Sequence, residues 1–152
     1  MKVLVIYDSM FGNTEKVAQV IAAGLGTGED IRLAKVNTIT PQDTKALDLL
    51  IVGSPTHAWG PTKAIKAFLG SLQPNLLTGV RAAAFDTQYR SRLSGSAAKR
   101  IEKVLRRQGC SIVAPAIGFF VTGGEGPLAE GELDKATAWA KQILDACETK
   151  SR

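Results

Sequence analysis

Lys2-Val3-Leu4-Val5-Ile6-Tyr7-Asp8-Ser9-Met10-Phe11-Gly12-Asn13-Thr14 decides how this chain folds: an apolar run ends abruptly in a small, polar loop, and a helix begins at once. Val3 to Ile6 show no alternation, the pattern of a strand covered on both faces, as in a parallel sheet. From Thr14 the period becomes helical, with Val17, Val20, Ile21 and Leu25 on one face and Glu15, Lys16 and Gln19 mainly on the other. The loop Ser9 to Thr14 therefore joins a strand's carboxyl end to a helix's amino end, where open α/β sheets bind ligands and free N–H groups attract anions. Ser9, Asn13 and Thr14 supply hydroxyl and amide donors, Gly12 lets backbone approach closely, and no Lys or Arg is present. That chemistry suits a terminal phosphate held by dipoles and hydrogen bonds. The plainer reading is a strand-to-helix turn with Asn13 or Thr14 as N-cap, which needs only one such residue.

Working outward, 152 residues with 45% hydrophobic content make one domain, 1–152, with enough apolar surface for a proper core. No apolar run reaches the ~18 residues of a membrane span, and no charged segment leads into an apolar secretory stretch, so a soluble, cytoplasmic protein is expected. Cys110 and Cys147 have no metal-ligand spacing and are expected as reduced structural thiols. The net charge of +5 raises nucleic acid as a ligand class, but no aromatic residues interleave with the cations to stack bases. Much of the charge sits between Ala97 and Arg107, where Ala97, Ile101, Val104 and Leu105 keep helical spacing while Lys99, Arg100, Lys103, Arg106 and Arg107 fill the other faces. A solvated helix face is preferred there over a docking patch for an acidic partner.

Gly24-Leu25-Gly26-Thr27-Gly28 looks like a dinucleotide fingerprint, yet it closes a helix instead of opening one, so it reads as a cap and turn. A second, less hydrophobic strand follows at about 30–36, near a sheet edge, and Thr40 to Lys45 has room for only a short helix or turn. Leu47 to Gly53 is the third strand and ends in Ser54-Pro55-Thr56-His57-Ala58-Trp59-Gly60-Pro61. Pro61 at a first helical position is expected to start the helix Thr62 to Leu69. Ala58 and Gly60 leave room beside Trp59 for a flat ligand, which favours a ligand contact over a surface aromatic. The lone His57 reads as solvent-exposed. Val80 to Phe85 is a fourth strand with the loop Asp86 to Leu93 after it, and Ser94 or Ser96 caps the basic helix. Ser111 to Val121 gives a fifth strand, made irregular by Pro115 and Gly118, before the Gly-rich loop Thr122 to Gly131. The last helix, Glu132 to Cys147, places Leu133, Ala136, Trp139 and Ile143 on one buried face.

Strands alternating with helices imply an α/β fold, a five-stranded parallel sheet with helices on both faces. Right-handed crossovers leave few strand orders, and 2-1-3-4-5 gathers the loops after the first, third and fourth strands around one crevice. A response-regulator receiver domain shares that order, but the place of its phospho-acceptor Asp reads Gly53-Ser54-Pro55 here, which excludes it.

These residues resemble the flavodoxin-like family, a three-layer sandwich that binds flavin mononucleotide (FMN). Ser9-Met10-Phe11-Gly12-Asn13-Thr14 is similar to its phosphate loop, with Phe11 in place of the usual Thr, and Asp8 to Lys16 also resembles the flavodoxin domains of flavodiiron proteins. Gly53-Ser54-Pro55-Thr56 matches the next signature, and Ser94 to Glu102 is similar to the helix after the other ring-contacting loop. The resemblance implies that Ser9, Met10, Phe11, Gly12, Asn13 and Thr14 bind cofactor together with Pro55, Thr56, His57, Ala58, Trp59 and Gly60, and with Asp86, Thr87, Gln88 and Tyr89. In it Thr56 helps the phosphate, Trp59 stacks on the ring and Tyr89 covers the outer flavin face. No dedicated general acid, base or metal ligand is apparent. The function implied is electron transfer between a reductase and an acceptor, with redox proteins, possibly acidic, as partners and neither nucleic acid nor membrane. The alternatives are an FMN-dependent quinone or other small-acceptor reductase and a flavin-free interaction domain. Arg90 and Arg92 in a flavin loop are expected to favour the reduced, anionic flavin.

Overall fold

The computed structural model describes residues 1–26, 30–57, 60–89 and 96–150, the last by its backbone alone. In chain order the elements are β1 (Lys2–Tyr7), α1 (Asn13–Gly24), β2 (Asp30–Lys35), β3 (Leu49–Pro55), α2 (Lys63–Gly70), β4 (Arg81–Tyr89), α3 (Ala97–Arg107), β5 (Ser111–Ile112), β6 (Ile117–Val121) and α4 (Glu132–Lys150). Two short 3-10 turns, Val36–Thr38 and Pro41–Thr44, occupy the link between β2 and β3, where the sequence leaves room for little more.

All pairings between these strands are parallel, in the order β2-β1-β3-β4, with β5 and β6 both against β4. The expected fifth strand is thus two pieces. β5 pairs with the start of β4, and β6 runs from Phe85↔Ile117 to Tyr89↔Val121. Pro115, which has no N–H to give a ladder, lies in the break, whereas Gly118 sits inside β6 and does not interrupt it.

Two layers of side chains explain why the central strands read as continuous apolar runs. Leu4, Ile6, Leu50, Val52, Ala82 and Ala84 face Ile65, Phe68 and Leu69 of α2 and Ile101 and Leu105 of α3. Val3, Val5, Leu49, Ile51, Ala83 and Phe85 face Val17 and Ile21 of α1 and Trp139, Ala140 and Ile143 of α4. Trp139 is a core residue, as expected: it meets Phe85 and Phe119 edge-on with ring centroids 6.1 and 6.4 Å away and donates Nε1–H to Pro115 O. Leu133 departs from that face and is 40% exposed. In the first turn of α4 it is Glu132 that turns inward, accepting the Phe120 N–H at 2.9 Å and the Lys135 ammonium at 2.8 Å.

The strands run further than their apolar cores. β3 extends to Pro55 and β4 to Tyr89, because Ser54 and Pro55 pair with Asp86 and Thr87 and β6 pairs with the rest. Asp86 to Tyr89 are therefore strand residues, not loop. Helix starts also differ from expectation. α1 begins after Gly12, held at φ 88° with no side-chain cap, so neither Asn13 nor Thr14 is the N-cap. α2 begins after Thr62, whose hydroxyl accepts the Ile65 N–H, so Pro61 precedes the helix. Ser96 caps α3 through the Lys99 N–H; Ser94 lies outside the described residues.

Candidate functional site

The carboxyl ends of β1, β3 and β4 meet at Thr87. Its hydroxyl lies 2.7 Å from that of Thr14, at the start of α1, and its carbonyl accepts the Thr56 N–H at 2.9 Å. One residue of β4 thus ties the other two strand-end loops together. A second tie runs behind them: the Asp8 carboxylate accepts the Ser9 N–H and the Thr62 hydroxyl, and Thr62 N–H donates to Ser54 Oγ.

Between these loops lies a cleft of about 200 Å³. Of the sixteen expected cofactor residues, the structure brings Ser9, Met10, Phe11, Asn13, Thr14, Pro55, Thr56, His57, Thr87, Gln88 and Tyr89 to its walls. Gly12, in the left-handed region at φ 88°, turns the chain from this loop into α1, and Gly60 is buried and exchanges both backbone hydrogen bonds with His57, at 2.7 and 2.9 Å. Ala58 and Trp59 lie outside the described residues, as do Arg90 and Arg92. His57 is exposed, as its isolation in a polar loop implies.

Asp86 stands apart from the cleft walls. It is fully buried beneath them, one carboxylate oxygen accepting the Ala98 N–H at 3.0 Å and the Ser96 hydroxyl at 2.9 Å, the other accepting Gln88 Nε2. Burial raises its pKa, and the hydrogen bonds from Ala98, Gln88, Ser96 and Thr56 oppose that rise. Asp86 thus holds the amino end of α3 against β4. Gly118 leaves it space, since a Cβ there would come within 2.9 Å of the carboxylate and 2.6 Å of Gln88 Nε2.

Val121 and Gly124 also line the cleft, and nothing in the apolar period marked them. The Gly-rich loop that carries Gly124 was the available signal. It is fastened by Asn13, whose amide donates to Glu125 O at 2.9 Å, and a Cβ on Gly126 would come within 2.5 Å of that amide. One N–H of Asn13 is therefore spent on a loop 112 residues away instead of being free for an anion.

What remains open at the start of α1 suits a phosphate. Lys16 N–H takes the Gly12 carbonyl and Gly12 N–H takes Ser9 Oγ, while among the described residues no partner meets the N–H groups of Asn13, Thr14 and Glu15. Three convergent donors carry the positive end of a twelve-residue helix, and Ser9 keeps its hydroxyl hydrogen for a further bond. Apolar side chains line the same cleft: Met10, Phe11 and Tyr89 are 61%, 54% and 55% exposed. Among the described residues only Leu133 is a comparably exposed large hydrophobic. A phosphate cradle beside three uncovered apolar side chains fits a phosphorylated ligand with a flat, apolar ring. Among the described residues no cluster of His, Cys, Asp and Glu is arranged to hold a metal.

A family model described as Flavodoxin matches residues 5–144. A curated flavodoxin from Aquifex aeolicus (strain VF5) is 40% identical over 77 residues, a match covering 47% of this chain and 42% of that relative's length. Among solved structures, oxidised flavodoxin 2 from Bacillus cereus superposes with a TM-score of 0.84 at 24% identity, covering 95% of this chain and 99% of that one. The Flv1 flavodiiron core of Synechocystis sp. PCC6803 superposes with a TM-score of 0.76 at 22% identity, covering 99% of this chain and 36% of that one. At these identities the structural likeness shows the fold alone.

Proposed function

We propose that this chain, which belongs to the flavodoxin family of FMN-binding electron-transfer proteins, shuttles electrons between a reductase and an acceptor in the cytoplasm. The observation that carries the reading is the trio of open N–H groups at Asn13, Thr14 and Glu15 beside the exposed Met10, Phe11 and Tyr89. Bound FMN supplies the one- and two-electron chemistry, and the protein supplies binding, orientation and electrostatics. The N–H groups of α1 and the Ser9 hydroxyl hold the phosphate without a cation. Thr14, Thr56 and Thr87 keep the three loops at a fixed spacing, so the ring enters a cleft that is already formed. Met10, Phe11 and Tyr89 cover apolar ring surface, and Trp59 is proposed to stack on it. Among the described residues no helix is long and apolar enough to cross a membrane.

The test is the visible spectrum of the purified protein and its reconstitution with FMN and with riboflavin. Charge-assisted hydrogen bonds are worth about 1.5–3 kcal/mol each, so riboflavin, which lacks the phosphate, is expected to bind more weakly by at least two orders of magnitude. Equal affinities would overturn the phosphate assignment, and a protein that takes up no flavin would leave the fold without this function.

A further inference from the structure

The two helical layers divide the charge unequally. α2 and α3, side by side on one face of the sheet, carry Lys63, Lys66, Lys99, Arg100, Lys103, Arg106 and Arg107, all exposed. Against these seven cations stands one carboxylate, Glu102, half-buried and accepting the Ala116 N–H. α1 and α4, on the other face, carry four lysines against five carboxylates. Ion pairs among the described residues lie outside the basic face, Arg32 with Asp43 and Lys135 with Glu132. Solvation explains any one of these lysines, but a merely solvated face intersperses both signs, and here the chain's positive balance is gathered on one side.

That face also has shape. A groove of about 270 Å³ runs between α2 and α3, floored by Pro61, Leu69, Gly70 and Val104 and flanked by Lys66 and Arg100. At its end the two cations converge on Gly60, where a Cβ would lie 3.3 Å from Arg100 Cδ and 3.7 Å from Lys66 Cε. Gly60 is bonded to His57, a wall of the cofactor cleft, so groove and cleft share one loop.

We propose that the α2–α3 face docks an acidic electron-transfer protein, one apolar side chain of the partner entering the groove and its carboxylates meeting Lys66, Arg100 and Lys103. The inference rests on the reading of this chain as an FMN electron carrier and names the chemistry of its partner. Docked there, the partner's redox centre approaches the loop that contains Gly60. One electron leaves that centre, which is oxidised, and enters FMN, which is reduced, and no bond forms or breaks between the proteins. Nucleic acid would use the cations but has no side chain for an apolar groove, and α2 and α3 expose no aromatic residue, since Phe68 is buried.

The probe is a strongly acidic [2Fe–2S] ferredoxin, reduced and mixed by stopped flow with the FMN-loaded full chain. Steering by opposite charge predicts a second-order rate that falls steeply with ionic strength. Lys103→Glu on α3 is expected to slow it about fivefold or more at low salt, Lys103→Gln by less, and Lys141→Glu on α4 by under about twofold. FMN affinity and photoreduction by a neutral deazaflavin should be the same in all three variants. A rate insensitive to salt and equal in the Lys103 and Lys141 variants overturns the proposal. So does retention on duplex DNA at physiological salt that Lys103→Glu abolishes while the ferredoxin rate is unchanged. Failure to bind FMN strikes at the proposed function instead, and calorimetric titration of the flavin-free chain with ferredoxin still reads the docking face.

Discussion

Thr14 and Thr87 place their hydroxyls 2.7 Å apart in a buried position, joining the first turn of α1 to the upper half of β4 across 73 residues of chain. Both residues are almost wholly buried. Thr14→Val or Thr87→Val leaves the other hydroxyl unsatisfied and is expected to cost about 1–3 kcal/mol, whereas the double substitution removes both groups and should cost less than the sum. Urea unfolding of the four flavin-free proteins gives the coupling, and strict additivity would show that the pair is not a working contact. Both single variants should also weaken FMN, since the loop spacing depends on the pair.

Asn13 does its work at a distance, by holding the Gly-rich loop through Glu125 O at 2.9 Å. Asn13→Ala frees that loop and removes roughly 1 kcal/mol of net hydrogen bonding, so FMN should dissociate about fivefold faster. Stopped-flow displacement of FMN measures it. An unchanged dissociation rate, with fluorescence labels showing the loop undisturbed, would mean that the bond adds nothing to the cleft.

Gly53 is required by a ring. A Cβ at this position would lie 2.0 Å from Phe85 Cζ, inside a side chain that itself packs at 6.0 Å against Phe119. Gly53→Ala is therefore expected to cost at least the ~1–3 kcal/mol typical of overpacking. Pairing it with Phe85→Leu, which vacates the space, should recover part of that loss in the urea midpoint. If Gly53→Ala is neutral, the Phe85 ring has another place to go.

Asp86 makes stability depend on pH with a defined sign. Burial raises its carboxyl pKa in the folded protein above the ordinary carboxylate value. The folded state therefore holds the proton more tightly, and this residue's contribution is full below the ordinary pKa and is lost as pH rises through the raised one. Wild type should gain stability relative to Asp86→Asn as pH falls from about 7 to about 4.5. The substitution should also cost about 1–3 kcal/mol throughout, because an amide cannot accept from Ala98, Ser96 and Gln88 together. Urea midpoints for both proteins at the two pH values decide it, and a pH-independent difference would contradict the raised pKa.

The sequence by itself determined which segments are strands and which strand-end loop opens on a helix start, because these follow from local periods, and the handedness of crossovers narrowed the strand order to a few. Val3 to Ile6 and Leu49 to Val52 read as strands buried on two faces, and the residues around Gly12 read as a helix start open to an anion; the structure has both. Only the tertiary structure decided what each polar residue does there. Whether Asn13 donates to a ligand or to Glu125, and whether Asp86 lines the cleft or lies beneath it capping α3, depends on chain segments that periodicity does not bring together. The same holds for the basic helices. Spacing along α3 shows a polar face, but only the packing of α2 beside it, with an apolar groove between them ending at Gly60, turns scattered cations into a surface with one sign and one shape. Local interactions choose helix or strand within a few residues, whereas burial, pKa and charge clustering are sums over neighbours that the chain supplies from far away.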